Sequence, residues 1–231
     1  MEERIQKIIA NSGYCSRRKA EELIEQGKVK LNREPAKLGD KATEEDKISI
    51  EGKLLERKKE NLYYILNKPK GILVTKEDPQ NRRTIYNLKA LSKLKKEIGF
   101  NLNYVGRLDG ASEGLLLLTN DGELNNQLTH PKHEIKKTYQ VRTEPTLTKE
   151  DITKLKNGLL IEDRKFFAEI SAIEKNTFNI TIKEGRNRII RKALEKLNYK
   201  IYLLKRISIE NIKLGNLKSG EIKKIENPQT K

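Results

Sequence analysis

Val105-Gly106-Arg107-Leu108-Asp109-Gly110-Ala111-Ser112-Glu113-Gly114 runs directly into Leu115-Leu116-Leu117-Leu118, and the rest of the chain is best read outward from this junction. The four leucines are too few for a membrane span and form a buried core strand. Glycines at 106, 110 and 114 permit sharp turns or close approach of the backbone to another group. Arg107 and Asp109 are therefore expected in a tight loop at the edge of a rigid sheet. A carboxylate held there serves as a nucleophile or base, or as the partner in a structural ion pair. This stretch alone leaves both readings open.

Downstream, Asn120-Asp121-Gly122 marks a turn, and residues 122–129 form a short helix with Leu124 and Leu128 on one side. Residues 136–141 alternate as a strand. Thr148 with Asp151 has the form of a capping box, opening a helix that carries Ile152 and Leu155 and stops near Gly158. Phe178, Ile180 and Ile182 alternate as a strand that runs into Glu184-Gly185-Arg186-Asn187-Arg188-Ile189-Ile190-Arg191, and the spacing of Ile190, Ala193, Leu194 and Leu197 predicts a helix over 188–198. Strand spacing returns at 202–204 and 207–209. Upstream, Tyr63-Tyr64-Ile65-Leu66 reads as a strand halted by the turn-forming Asn67-Lys68-Pro69-Lys70-Gly71, and 75–84 is a polar loop. Strands arrive in runs with few helices between them. The fold class expected is α+β, not a doubly wound parallel sheet.

Composition narrows the partners. In 231 residues, 49 Lys+Arg face 33 Asp+Glu, a net charge of +16 that points to a polyanion, nucleic acid above all. Tryptophan is absent and no basic amphipathic helix with bulky aromatics is present, which disfavours a membrane surface. The single cysteine, Cys15, excludes an intramolecular disulfide and a thiolate metal cluster. His130 and His133 lack spaced partners and read as loop residues. The charged start from Glu2 onward has no signal-peptide pattern, so a cytoplasmic protein is expected. There is no Gly-x-x-x-x-Gly-Lys-Ser/Thr loop, no Gly-x-Gly-x-x-Gly after a strand and no His-Glu-x-x-His. No cofactor and no metal are expected, and the oligomeric expectation is a monomer.

At the N-terminus, residues 3–12 carry Ile5, Ile8 and Ile9 at helical spacing, ended by Gly13. Ser16 is an N-cap for a second helix with Ala20, Leu23 and Ile24 on one face and Gly27 past its end. Val29 and Leu31 make a half-buried strand, residues 32–35 a turn, and Ile48 and Ile50 a return strand. Arg17, Arg18, Lys19, Lys28 and Lys30 would form one basic surface, either an RNA grip or a solvated face. Ser16-Arg17-Arg18-Lys19-Ala20-Glu21-Glu22-Leu23-Ile24 through Gly27-Lys28-Val29-Lys30-Leu31-Asn32 resembles the S4 RNA-binding domain, over about residues 3–50. That resemblance implies RNA binding, not chemistry.

Arg107 and Asp109 in the glycine-rich loop, Tyr139 on a later strand, and Arg186, Arg188 and Arg191 at a strand-to-helix junction are what an enzyme acting on one RNA base needs. Arginines hold phosphates, a ring stacks on the extruded base, and the carboxylate does covalent work. Each also has an ordinary reading: Tyr139 as core, the arginines as a grip, Asp109 as an ion-pair partner. Together, Asn67-Lys68-Pro69-Lys70-Gly71, Gly106-Arg107-Leu108-Asp109 with Ser112 and 114–124, His130-Pro131, Lys137-Thr138-Tyr139 and Glu184–Arg191 resemble one family of ribosomal RNA pseudouridine synthases. It comprises the small-subunit enzyme and the B, E and F types that act on the large subunit.

The resemblance implies isomerisation of uridine to pseudouridine in ribosomal RNA, large-subunit RNA favoured over small-subunit RNA, free or within an assembling particle. It implies Asp109 as the essential aspartate, nucleophile at C1′ or base. Arg107 would replace or clamp the flipped nucleotide, Tyr139 would stack on the target base, and Arg191 would pair with the aspartate. Lys68, Arg186 and Arg188 would contact RNA. Ile189 stands where the family commonly has Gln. The organisation expected is an S4-like module over 1–50 (two helices and a small sheet), a linker over 51–60, and a catalytic domain over 61–231 with a mixed, mainly antiparallel sheet flanked by a few helices. The competing reading is a non-catalytic RNA-binding or ribosome-assembly factor retaining the fold.

Overall fold

The structure, a computed structural model, describes residues 2–56 and 60–228. The first segment is built from β1 (Glu3–Arg4), α1 (Ile5–Asn11), α2 (Arg17–Glu25), β2 (Val29–Leu31), β3 (Glu34–Pro35), β4 (Lys41–Ala42), β5 (Ile48–Ile50) and β6 (Lys53–Leu54). The Ser16 side chain accepts from the Lys19 N–H at 3.2 Å and so opens α2, while Gly27 takes the left-handed exit at φ +68°. The apolar faces of both helices and the inward side chains of β2 and β5 close a small core of Ile5, Ile9, Ala20, Leu23, Ile24, Val29, Ile48 and Ile50.

Two expectations change here. The turn at 32–35 is confined to Asn32 and Arg33, both at positive φ, and Pro35 lies in the edge strand β3, where a missing N–H costs no ladder bond. The linker assigned to 51–60 starts later, because Glu51-Gly52 turns the chain back and Lys53 and Leu54 pair with Ile50 and Ser49. Residues 57–59 of that linker lie outside the described residues.

The chain then enters the larger part through a clamp. Asn120 accepts from the Leu62 N–H at 2.6 Å and donates to the Glu60 carbonyl at 3.0 Å, and the Tyr63 hydroxyl donates to Asp121 at 2.8 Å. The elements that follow are β7 (Tyr63–Lys68), α3 (Lys89–Ile98), β8 (Asn103–Val105), β9 (Glu113–Thr119), α4 (Gly122–Thr129), β10 (Lys137–Glu144), α5 (Lys149–Asn157), β11 (Leu159–Ile161), β12 (Arg164–Phe166), β13 (Glu169–Glu174), β14 (Thr177–Ile182), α6 (Ile189–Lys196), β15 (Lys200–Ile209), β16 (Ile212–Lys213) and β17 (Ile222–Ile225).

One sheet runs β13-β14-β10-β15-β9-β7-β17, with β8 against β9 and β16 against β15. All its pairings are antiparallel except β9 with β15, so the fold is α+β with a mixed, mainly antiparallel sheet. The leucine run explains its own lack of alternation: Leu116 and Leu118 enter the core under α3, α5 and α6, and Leu115 and Leu117 enter the one under α4. All four are fully buried, each worth about 2 kcal/mol against an exposed state. Tyr63 and Ile65 divide from Tyr64 and Leu66 in the same way on β7.

Asn67 and Lys68, expected in a turn, complete β7. The two stretches at 202–204 and 207–209 belong to one strand, β15. Helix α3, with Leu91 and Leu94 buried, and the final strand β17 were not foreseen from the sequence.

Candidate active site

The loop between β8 and β9 is fixed on every side. Val105 and Leu108 are buried, Gly106 turns at φ +65°, and the Ser112 N–H donates to the Asp109 carbonyl at 3.0 Å. The Gly71 N–H donates to the Gly110 carbonyl at 2.7 Å, strapping the loop to the turn after β7. Gly114, at φ +102°, lies where an added Cβ would stand 2.3 Å from the Arg206 carbonyl oxygen. Only glycine lets the two parallel strands meet at that point. Asp109 is thus held half-buried, pinned at both ends by core strands.

Above the loop lies a cleft of about 1500 Å³. Arg107, Asp109, Tyr139, Arg186, Arg188 and Arg191, expected from three separate motifs, all line it. Arg107 is exposed there. Tyr139 is almost fully buried, opposite Arg206 on one side and Ile180 on the other, and its ring belongs equally to the main core.

Arg191 corrects one expectation. Among the described residues no ion pair within bonding range joins it to Asp109. Its Nη2 donates to the Ala111 carbonyl at 3.0 Å and to Ser112 Oγ at 3.3 Å, stitching α6 to the β8–β9 loop just after Asp109. Burial first and then the neighbouring Arg188 push its pKa down, against the pull of Asp109 and Glu195, and Arg191 bears on Asp109 through the loop that it holds.

Lys68 is the larger correction. Expected to contact RNA, it is fully buried, and its Nζ donates to the Pro69 and Ile72 carbonyls at 2.8 and 2.7 Å. Burial lowers its pKa to about 8 against the opposing pull of Glu113 and Asp109. It is a cation beneath the β8–β9 loop, out of reach of a nucleic acid.

Arg186 is also occupied. It pairs with Glu184 and donates to the Ile161 and Lys165 carbonyls at 3.4 and 3.2 Å, pinning the β11–β12 hairpin to the cleft wall. Arg188 precedes α6 at φ +51°, with its side chain half exposed and 3.9 Å from Glu195. Ile189, in the position of the family's usual Gln, is buried in the main core, which explains an apolar residue there.

Sequence reasoning missed two cations of the cleft. Arg206 is 2% exposed and donates from Nε to the Leu115 carbonyl at 2.8 Å; beside Lys205 in the same strand, it carried no sequence signal of burial. Lys137 has its pKa lowered, by burial first and then by Arg206, against the pull of Glu210. Lys137, Arg191 and Arg206 make the floor electropositive, suited to a polyanion.

The N-terminal basic residues lie outside this cleft. Arg17, Arg18, Lys19, Lys28 and Lys30 are all exposed. Lys19 pairs with Glu22 at 2.7 Å and Lys28 with Glu51 at 3.1 Å, and Arg17 faces the start of α4 near Gly122. Arg18 and Lys30 have no ion pair among the described residues. Nor do the described residues contain a group of three or more His, Cys, Asp or Glu able to hold a metal, or a helix long and apolar enough to cross a membrane.

A family model for RNA pseudouridylate synthases matches residues 62–196, and one for the S4 domain matches residues 3–48. The ribosomal large subunit pseudouridine synthase B of Bacillus subtilis is 38% identical, over 96% of this chain and 92% of that protein. The protein of the same name from Yersinia pestis is 36% identical, over 93% of this chain and 69% of its own. A crystal structure of a pseudouridylate synthase superposes with a TM-score of 0.68 at 31% identity, covering 96% of both chains.

Proposed function

The chain belongs to the RNA pseudouridylate synthase family and isomerises uridine to pseudouridine in RNA, and from that premise we propose that its substrate is large-subunit ribosomal RNA. The names of the relatives from Bacillus subtilis and Yersinia pestis support that choice of RNA. The organisation proposed is an S4-like docking module in front of a catalytic domain, acting as a cytoplasmic monomer on free or assembling ribosomal RNA.

One observation carries the assignment of roles: a half-buried carboxylate, Asp109, held rigidly in a cleft whose other charged groups are mostly cationic. Phosphates and a flipped nucleotide are drawn in by Arg107 and Arg188. The base leaves its stack and lies against Tyr139, at a cost of a few kcal/mol offset by stacking on the ring. Asp109 acts as nucleophile at C1′ or as base; the N1–C1′ bond breaks, the uracil turns, and a C5–C1′ bond forms. The C5 proton lost is matched by the proton gained at N1, so no co-reactant is consumed. A carboxylate that forms a covalent intermediate divides one hard step into two easier ones. A mere RNA binder would gain nothing from a negative charge where phosphates must approach.

The test is a pseudouridine map of ribosomal RNA from cells with and without this gene, read by carbodiimide-dependent reverse-transcription stops. One stop should vanish on deletion and return with the wild-type gene but not with Asp109→Ala, whose RNA affinity should be unchanged. Full restoration by Asp109→Ala would refute the assignment.

A further inference from the structure

The β11–β12 hairpin ends in an aromatic residue that the reaction leaves unexplained. Phe167 is 54% exposed, yet it lines the cleft that holds Asp109. Its ring is seated, not loose. A Cβ built on Gly158 would stand 2.7 Å from the ring Cε1 and 2.9 Å from Cζ, so the edge rests on backbone that only a glycine leaves open. The next residue, Ala168, is buried and donates its N–H to the Leu155 carbonyl at 3.0 Å, and Arg186 fixes the hairpin through the Ile161 and Lys165 carbonyls. A large apolar side chain is thereby held in water with a face uncovered.

Its charged surroundings point to the occupant. Lys156, Arg164 and Lys165 share the same stretch of cleft wall and are exposed. Of the carboxylates nearby, Glu162 is paired with Lys192 at 2.6 Å, Glu184 is paired with Arg186 and Asp163 lies 3.8 Å from Arg164, leaving Glu169 as the acid of that wall without an ion pair among the described residues. A rigid aromatic face among cations, in a cleft that admits RNA, matches the stacking sites of single-stranded nucleic-acid binding. The geometry points to Phe167 as a stacking platform for an unpaired base that flanks the target uridine along the same cleft. This rests on the RNA-modifying reading above. The platform lies outside the reacting centre, so it governs affinity and the choice of neighbouring sequence. A protein partner pressing on the ring would have no need of the cations around it.

The test uses the full chain and a short single-stranded RNA with 2-aminopurine next to a uridine, titrated at fixed salt. Stacking quenches the probe. Wild type should quench it, Phe167→Ala should bind roughly tenfold more weakly with quenching lost, and Phe167→Trp should retain both. Phe167→Leu keeps apolar bulk over Gly158 and should behave like the alanine variant. Equal affinity and quenching in the alanine and leucine variants, matching wild type, would overturn the platform. Full function in the leucine variant alone would also overturn it, since apolar bulk without an aromatic face would then suffice. Pseudouridine formation by the wild type is scored separately on ribosomal RNA; its absence would sink the enzymatic assignment, while the quenching still decides the platform.

Discussion

Replacing Lys68 by methionine isolates the cost of a buried cation beneath the catalytic loop. The ammonium is fully enclosed, satisfied by two carbonyls, and titrates at about 8 instead of its ordinary 10.5 because burial outweighs the attraction of Glu113 and Asp109. Below about pH 8 the lysine is protonated in both the folded and the unfolded chain, and the folded state bears the full cost of the charge. Between about 8 and 10.5 the unfolded chain still binds the proton and the folded one does not, so this lysine's contribution to stability rises with pH. The two values set the ceiling of that gain at about 3 kcal/mol.

Urea unfolding of wild type and Lys68→Met across this window is the assay. All other titrating groups are common to both, so the stability difference should move toward the wild type by up to about 3 kcal/mol as pH rises. A difference that stays flat from pH 8 to 10.5 would show that the charge is not held against its burial, and the argument would fail. Turnover gives a second reading. Wild-type activity should decline as Lys68 loses its proton, whereas the methionine variant should start lower and lack that alkaline limb.

Gly114→Ala should cost at least about 2 kcal/mol, because a Cβ at positive φ would overlap the Arg206 carbonyl; an unchanged urea midpoint would contradict the reading of the parallel pair. Arg191→Ala removes the donor to Ala111 and Ser112 and should destabilise by about 1–3 kcal/mol. It should also lower kcat far more than it raises KM, and the opposite split would make Arg191 a substrate grip. The double substitution Arg18→Ala with Lys30→Ala should weaken RNA binding and reduce the slope of log affinity against log salt by about 1 for each phosphate no longer neutralised. An unaltered slope would assign those two side chains to a solvated face.

Much of this molecule was legible because local chemistry and fold agree. Ser16 and Thr148 cap the helices that they announced, Asp121, read only as part of a turn, caps α4, and the leucine run, Phe178, Ile180 and Ile182 all lie in the sheet core. The convergence of Asp109, Tyr139 and the arginines on one cleft was also anticipated. What failed has one physical origin. A charged side chain reads as solvent-facing, yet Lys68, Arg191 and Arg206 are buried because carbonyls of distant strands and loops accept their protons, and no local pattern encodes those partners. Arg186 lines the cleft as expected, but for the same reason its bonds to a hairpin 21–25 residues earlier were not legible. Helix α3 carries its period in Leu91, Leu94 and Ile98, but Leu88 stands at its N-cap, so no side-chain cap announces where it begins.

The pairing of β9 with β15 also governs when the enzyme comes into being. Arg206 and Leu115 are 91 residues apart, and the bond between them, with the Gly114 crossing beside it, closes the frame on which Asp109 stands. Contacts so distant in sequence form late, after shorter loops have closed. A nascent chain that has made the leucine strand but not yet β15 carries every residue of the aspartate loop without the geometry that arms it. Its frame closes only once β15 has been made and has paired with β9, so a chain that stops short of Lys200 has no catalytic frame with which to modify RNA.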